Sequence, residues 1–292
     1  VGYVDLAASG QGVLEEVVWI LASQAQALTQ LRNVNIAGGV GLNCVANGLI
    51  AESGLFDRMY VQPASNDAGT SLGAALEVAR QKGYDIHNVP MTPYLGLGYS
   101  NQEILRVVAR SRYNFIIYDD ASRFIADLVA NGKVVGLFQG RAEFGPRALG
   151  NRSFIADARQ AGMQDYINQH VKGREEGRPL APAIMDLDSV SLFGQVINAP
   201  HMTVAYKIRD GLDAVTHVDG TTRPQIVTSD LNDLFYNQLL AVRNIIGKGA
   251  VINTSLNLHG PIINTPQQAL KLLETTNAKA IVFNNRYVVM RR

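Results

Sequence analysis

Three arginines fall within one short stretch, Gly140 to Ser153, where the chain reads GRAEFGPRALGNRS. Arg141, Arg147 and Arg152 are separated there by Gly140, Gly145, Pro146 and Gly150. Glycine lets backbone approach a ligand closely, and proline fixes φ while removing a donor. Arginine offers a planar fork that grips phosphate or carboxylate with two bonds at once. Anion chemistry is one reading of this stretch; a solvated surface turn is the other.

Further polar turns bear on the choice. Lys172 to Pro179 (KGREEGRP) again sets cations, Lys172, Arg174 and Arg178, on glycine-loosened backbone. His217 to Pro224 (HVDGTTRP) adds Arg223, and Asn253 to Asn257 (NTSLN) places Thr254, Ser255 and Asn257 just after a short apolar run. Eight basic residues lie between Lys133 and Arg178 against five acids, so spacing says more than the charge excess. Either these turns converge on an anion pocket that orients phosphates and offsets charge during phosphoryl or acyl transfer, or they are scattered surface loops.

The sequence has no G-x-x-x-x-G-K-[ST], no G-x-G-x-x-G and no G-x-S-x-G. Its five histidines form no His-x-x-x-His or His-x-His pair, so a self-contained metal site is not expected. His217 and Asp219 are either a catalytic pair or a turn feature. Upstream, Gly38, Gly39 and Asn43 open a turn that either cradles a nucleotide through backbone N–H groups or serves packing. Asp67, within PASNDAGT, is either a helix N-cap or a metal or nucleotide contact.

The elements that must carry these residues alternate. Val13 to Leu28 has helical apolar spacing, Asn33 to Ala37 reads as a buried strand, and a helix follows to about Gly54. Met59 to Gln62 is a second strand, and Ser71 to Lys82 a small-residue helix. This is an α/β alternation, in which turns beyond strand ends carry ligands. Gly83 to Gly98, with Pro90 and Pro93, reads as a linker region. We therefore expect one domain over 1–85, a linker over 86–94 and a second domain over 95–292.

In the second domain, Ser100 and Glu103 form a capping-box signature for a helix to Ala109. Strands are expected at 115–118, 133–138, 181–185, 203–208, 250–253, 280–283 and 287–290, and helices at 120–130, 162–171, 231–246 and 266–276. The 292 residues are 47% hydrophobic and 17% charged, which suits buried cores rather than disorder. A net charge of +1 gives no bulk attraction to nucleic acid or membrane. Cys44 is the sole cysteine, so an internal disulfide is impossible and a cytoplasmic setting is expected. No apolar run reaches the roughly 20 residues of a membrane span.

Six segments, in order, resemble the carbamoyltransferases of secondary metabolism, a group that includes the nodulation-factor and tobramycin carbamoyltransferases. They are Ala37–Asn47 (AGGVGLNCVAN), Leu55–Leu76, Gly140–Asp157, Val171–Ile184, His217–Gln225 and Asn253–Pro266 (NTSLNLHGPIINTP). The resemblance implies the second lobe of an actin-like ATPase domain, akin to the tRNA threonylcarbamoyladenosine transferase, followed by a YrdC-like α/β domain. It implies that carbamoyl phosphate and ATP give carbamoyl adenylate in the latter, and that the carbamoyl group then passes to a small hydroxylated acceptor at the former.

By the same resemblance, Arg147 and Arg178 grip phosphates and Lys172 stabilises charge on the leaving phosphate. Arg223, Thr254, Ser255 and Asn257 complete that site. Gly38, Gly39 and Asn43 hold nucleotide, and Asp67 matches a metal-ligand aspartate. Mg²⁺ would accompany ATP. A divalent metal, iron, would bind the first domain only with histidines that this sequence lacks. The chain starts at Val1 in what reads as mid-domain, so we expect a fragment that needs a missing N-terminal segment or another subunit. It should form adenylate without transferring carbamoyl. Two other classes compete: an RNA-binding YrdC-like protein of tRNA modification, disfavoured by the near-neutral charge, and a non-catalytic fragment.

Overall fold

The computed structural model describes residues 2–87, 89, 91–209 and 211–291. Asn88 and Pro90, within the expected linker, lie outside the described residues. Contacts divide the chain into two units, Val1–Met91 with Met202–Tyr206, and Thr92–His201 with Lys207–Arg292. The first unit is therefore discontinuous in sequence.

That unit begins with α1 (Tyr3–Thr29). The strands β1 (Asn33–Ile36) and β2 (Arg58–Val61) pair in parallel, with Asn33 opposite Arg58 and Ile36 opposite Val61. Between them lie a 3-10 turn, Gly39–Leu42, and α2 (Cys44–Glu52); α3 (Gly69–Gln81) follows β2. Neither α1 nor α3 buries a residue. Val13, Val17, Ile20 and Leu21 stay exposed on α1, although their spacing is that of a core-facing stripe.

On α2, Ala46, Asn47, Gly48 and Ile50 are buried, as are Val61, Ala64 and Ser65 at and beyond the end of β2, and α2 meets the returning segment 202–206. Asn47 donates from Nδ2 to the carbonyls of Thr203 (2.7 Å) and Gly41 (2.8 Å), and Ala205 N–H donates to Cys44 O at 2.9 Å. Gly48 is required here, because a Cβ would lie 2.5 Å from the Ala205 carbonyl oxygen.

Beyond α3 the chain runs through α4 (Asn101–Ala109), β3 (Phe115–Ile117), α5 (Ser122–Ala130), β4 (Val135–Phe138) and β5 (Arg152–Asp157). Next come α6 (Met163–Tyr166), which continues as one π-helical turn over Ile167–Val171, then β6 (Ala181–Met185), α7 (Ser189–Phe193), β7 (Tyr206–Lys207) and β8 (Thr221–Thr222). The chain closes with β9 (Gln225–Val227), α8 (Ser229–Ile246), β10 (Ala250–Ser255), α9 (Pro266–Thr275), β11 (Ala280–Phe283) and β12 (Tyr287–Met290).

Eight strands form one mixed sheet in the order β3-β12-β11-β4-β5-β10-β6-β9. Only β11–β4 and β6–β9 pair in parallel. The central strands β4 and β11 are buried along their length, which is why VGLF and AIVF read as unbroken apolar runs. The helices α5 and α8 pack together over one face, where Ile125, Val129, Phe235, Leu239 and Val242 join Val135, Leu137 and Val282. Each such side chain contributes about 1.5–3 kcal/mol by leaving water. At α4, Ser100 Oγ accepts from Glu103 N–H, and the Glu103 carboxylate accepts from Ser100 N–H at 2.8 Å, closing a capping box.

Candidate functional site

Register places the cationic turns together. In the second unit β4 ends at Phe138 and β5 begins at Arg152, its direct partner. Ser153 of β5 pairs with Ser255 at the end of β10, and Asn253 pairs with Ala181 at the start of β6. The parallel neighbour β9 starts at Gln225, opposite Ala183. One end of five adjacent strands therefore carries the 140–151 loop, Thr254 to Asn257, the turn before Ala181 and the turn before Gln225. Arg147, Lys172, Arg178, Arg223, Thr254, Ser255 and Asn257 all belong to those segments.

Lys172 organises the middle of this edge. Its side chain is 2% exposed, and Nζ donates to four oxygens: Ser255 O (2.7 Å), Ser255 Oγ (3.2 Å), Asn257 O (2.8 Å) and Asn257 Oδ1 (2.5 Å). An ammonium has three protons, so these acceptors already occupy it. Burial, with Arg174 and Arg178 adding like charge, brings the Lys172 ammonium down to about 7. The oxygens pull the other way, since each needs a donor. The Lys172 side chain holds the Ser255–Asn257 turn, and its charge projects from there. Ser255 Oγ in turn donates to Asn257 Oδ1 at 2.7 Å.

The arginines differ in setting. Arg147 and Arg223 are half-buried, whereas Arg178 is exposed and pairs with Glu175 at 3.2 Å. An exposed pair of this kind is worth about 0–1 kcal/mol, so Arg178 can leave it for a ligand. Arg141 and Arg152 face away from ligand duty. Arg141 donates to the carbonyls of Gly96 (3.0 Å) and Leu95 (2.7 Å). Arg152 is fully buried with its guanidinium 3.7 Å from the Phe138 ring centre, and donates to Gln139 O (2.7 Å), Asn151 O (2.9 Å) and Leu97 O (3.0 Å).

Three amides outside the expected site residues fix these loops. Asn253 Nδ2 donates to Ala148 O (3.2 Å) and to Gln225 Oε1 (2.9 Å), and Gln225 Nε2 donates to Leu149 O at 2.9 Å. Buried Asn168 holds the Lys172–Arg178 turn, accepting Arg174 Nε at 2.8 Å and donating to Arg178 O at 2.9 Å. All three are buried amides, and such groups are retained where they satisfy loop backbone.

His217 and Asp219 do not bond to each other. Thr221 stands between them: its hydroxyl donates to Asp219 Oδ1 at 2.7 Å and meets His217 Nδ1 at 3.2 Å. Burial lowers the His217 pKa, while the Asp219 charge raises it. The trio shapes the turn that leads to Arg223.

Gly38, Gly39, Asn43 and Asp67 belong to the first unit. Gly38 and Gly39 are exposed, Gly38 with φ +95°, and space beside both is open. The Asn43 side chain caps α2, accepting from Ala46 N–H at 3.1 Å, and bonds Gln11 through Nδ2 at 2.9 Å. Asp67 is exposed in the turn before α3, whose N-cap is Ala68. Among the described residues no three His, Cys, Asp or Glu side chains are grouped to hold a metal. Asp67 alone is too few ligands for a divalent ion. No helix among the described residues is long and apolar enough to cross a membrane.

Comparison with known proteins identifies the family. A family model described as carbamoyltransferase C-terminus matches residues 126–291, and one described as carbamoyltransferase N-terminus matches residues 3–76. The chain belongs to the carbamoyltransferase family. It is 36% identical to nodulation protein NolNO of Sinorhizobium fredii strain NGR234, over 99% of this chain and 44% of that protein. It is 37% identical to the 3'-hydroxymethylcephem-O-carbamoyltransferase of Streptomyces clavuligerus, over 77% of this chain and 42% of that protein. The chain spans about half the length of the curated relatives it matches. Full-length HypF, in its phosphate- and nucleotide-bound crystal form, is a loose likeness at TM-score 0.42 and 19% identity, covering 61% of this chain and 23% of that one.

Proposed function

We propose that the second unit is a YrdC-like carbamoyl-activating domain of an ATP-dependent O-carbamoyltransferase, and that the first is a lobe of an actin-like transfer domain. Carbamoyl phosphate and Mg²⁺-bound ATP give carbamoyl adenylate, with phosphate and pyrophosphate leaving. Because both leave, the balance consumes one water. The observation that carries this reading is the convergence of Arg147, Arg178 and Arg223 on the edge where Lys172 holds Ser255 and Asn257.

In this reading Arg147 and Arg223, half-buried, bind phosphoryl oxygens in a setting where water screens them less. Arg178 leaves Glu175 to close over the ligand. Lys172 presents Ser255 and Asn257 and, in its protonated form, supplies positive charge against the charge that develops on the leaving phosphate. Gly38, Gly39 and Asn43 serve nucleotide in the first unit, Asn43 through the α2 turn that it caps. Asp67 would need ligands from elsewhere to hold iron. The acceptor is a hydroxyl of a small metabolite, consistent with the hydroxymethyl group in the name of the Streptomyces relative. The uncovered apolar residues of α1 call for a further segment or another subunit before transfer occurs.

The test is pyrophosphate release from ATP by this chain, with and without carbamoyl phosphate. We expect release that depends on carbamoyl phosphate and falls at least about a hundredfold in Arg147→Ala, the size typical of losing one preorganised charge-stabilising donor. Release that ignores carbamoyl phosphate would sink the activation reading. Carbamoylation of a hydroxyl acceptor by the isolated chain would sink the claim that transfer waits on a further segment or another subunit.

A further inference from the structure

The loop that carries Arg147 is closed from within by one carboxylate. Glu143 Oε1 accepts the backbone N–H groups of Leu149 (2.7 Å), Asn151 (2.9 Å) and Arg152 (3.2 Å). The intervening N–H, that of Gly150, donates to Ser153 Oγ at 2.9 Å. Four successive N–H groups thus turn toward the loop interior, a concave array that would otherwise attract an anion from solution. The outer side is strapped as well. Phe144 N–H donates to Pro93 O (2.6 Å), Gly96 N–H to Ala142 O (2.9 Å), and the Tyr94 hydroxyl to Leu149 O (2.9 Å). Between these anchors arches Gly145–Ala148, with Arg147 upon it.

We propose that Glu143 is the positioning residue of the anion site, fixing the loop so that Arg147 is presented in one geometry. What the loop binds rests on the proposed function; that Glu143 closes the loop rests on its hydrogen bonds alone. Three bonds from one carboxylate oxygen tie positions 149, 151 and 152 back to position 143, so the arch has both feet fixed. The second oxygen, Oε2, is buried with no hydrogen-bond partner among the described residues. Its charge supports the buried Arg152 guanidinium, which burial draws down to about 10. Glu143 therefore serves the loop twice, by accepting its N–H groups and by offsetting the one cation sealed beneath it.

Two measurements on the 292-residue chain test this. Hydrogen exchange reads the loop without any activity: the amides of Leu149 and Asn151 should lose protection at least about tenfold in Glu143→Ala and keep most of it in Glu143→Gln, whose amide oxygen can still accept. Pyrophosphate release reads the site: Glu143→Ala should raise the KM for carbamoyl phosphate about 10–100-fold, the scale of an ångström's misplacement. Glu143→Gln should recover most of that loss, and Glu143→Asp, one methylene short, should fall between.

In an Arg147→Ala background, Glu143→Ala should cost little more, because Glu143 acts through Arg147. Unchanged exchange at Leu149 and Asn151, multiplicative losses in the double variant, or tighter binding of inorganic pyrophosphate by Glu143→Ala would each overturn the proposal. If Glu143→Ala does not fold, the Gln and Asp variants decide it by the same exchange readout. If the parent chain releases no pyrophosphate, the proposed function fails, and the exchange measurement still decides Glu143.

Discussion

Lys172 and Asn257 meet twice, the lysine Nζ lying 2.5 Å from the asparagine Oδ1 and 2.8 Å from its carbonyl oxygen. With the two contacts to Ser255, the whole turn after β10 is wound around one buried ammonium. This makes the proton on Lys172 part of the site's structure as well as of its charge.

That proton should respond to ligand. Burial brings Lys172 from the ordinary 10.5 down to about 7, so at pH 8 it is only partly charged. A bound pyrophosphate places negative charge nearby and raises the value again. Binding at pH 8 should therefore take up a proton, and Lys172→Met should take up markedly less. Calorimetry in buffers of different ionisation enthalpy measures this; equal uptake by both chains would refute it.

Arg152 should tolerate no replacement. Its guanidinium spans the carbonyls of Leu97, Gln139 and Asn151, a fork that an ammonium cannot copy. Arg152→Lys should lower stability by about 2–4 kcal/mol and Arg152→Met by at least as much, since buried carbonyls would lose their donors. Urea unfolding followed by circular dichroism gives the number, and a loss below about 1 kcal/mol in both would count against the account.

Gly150 is constrained by backbone and space together. It sits at φ +103°, and a Cβ there would lie 2.3 Å from the Phe235 ring. Gly150→Ala should cost about 2–4 kcal/mol, from left-handed strain plus overpacking. The same unfolding experiment checks it, and a neutral result would mean that α8 can shift.

Gly48 makes the corresponding demand in the first unit, where Ala205 O occupies the space of its missing Cβ. Gly48→Ala should release segment 202–206 and speed proteolytic cleavage there, with little effect on exchange protection in β4 or β11. Limited proteolysis followed by mass spectrometry would detect the cut; unchanged cleavage would show that α2 can retreat.

Much of the sheet is legible in the sequence because central strands are buried on both faces. Ala181–Met185, Ala280–Phe283 and Tyr287–Met290 have the same bounds in the structure as their apolar runs suggest. The capping box at Ser100 is legible for a local reason, since its partner is three residues away. β5 was hidden because Arg152 and Asp157 at its ends are polar, yet the strand is buried throughout, so no alternation marks it. The strand expected at 203–208 shrinks to Tyr206–Lys207, because the preceding residues dock on α2 instead. The expected helix at 162–171 exists, but its second half is π-helical. The segments of the candidate site could be found from arginines on glycine-rich turns. The supporting roles of Glu143, Asn168, Gln225 and Asn253 could not, because most of their partners are distant backbone and side-chain groups that only the fold brings near.

The docking of 202–206 on α2 also sets an order of events. Asn47 and Thr203 are 156 positions apart, so a ribosome delivers the helices of the first unit long before the segment that packs on α2 exists. The portion made first cannot finish until residue 206 has been made, and until then α2 offers Asn47 and Gly48 to whatever else the growing chain or its surroundings present. Dividing the gene at residue 91 would leave the first product permanently in that unfinished condition, while the second would carry its missing piece.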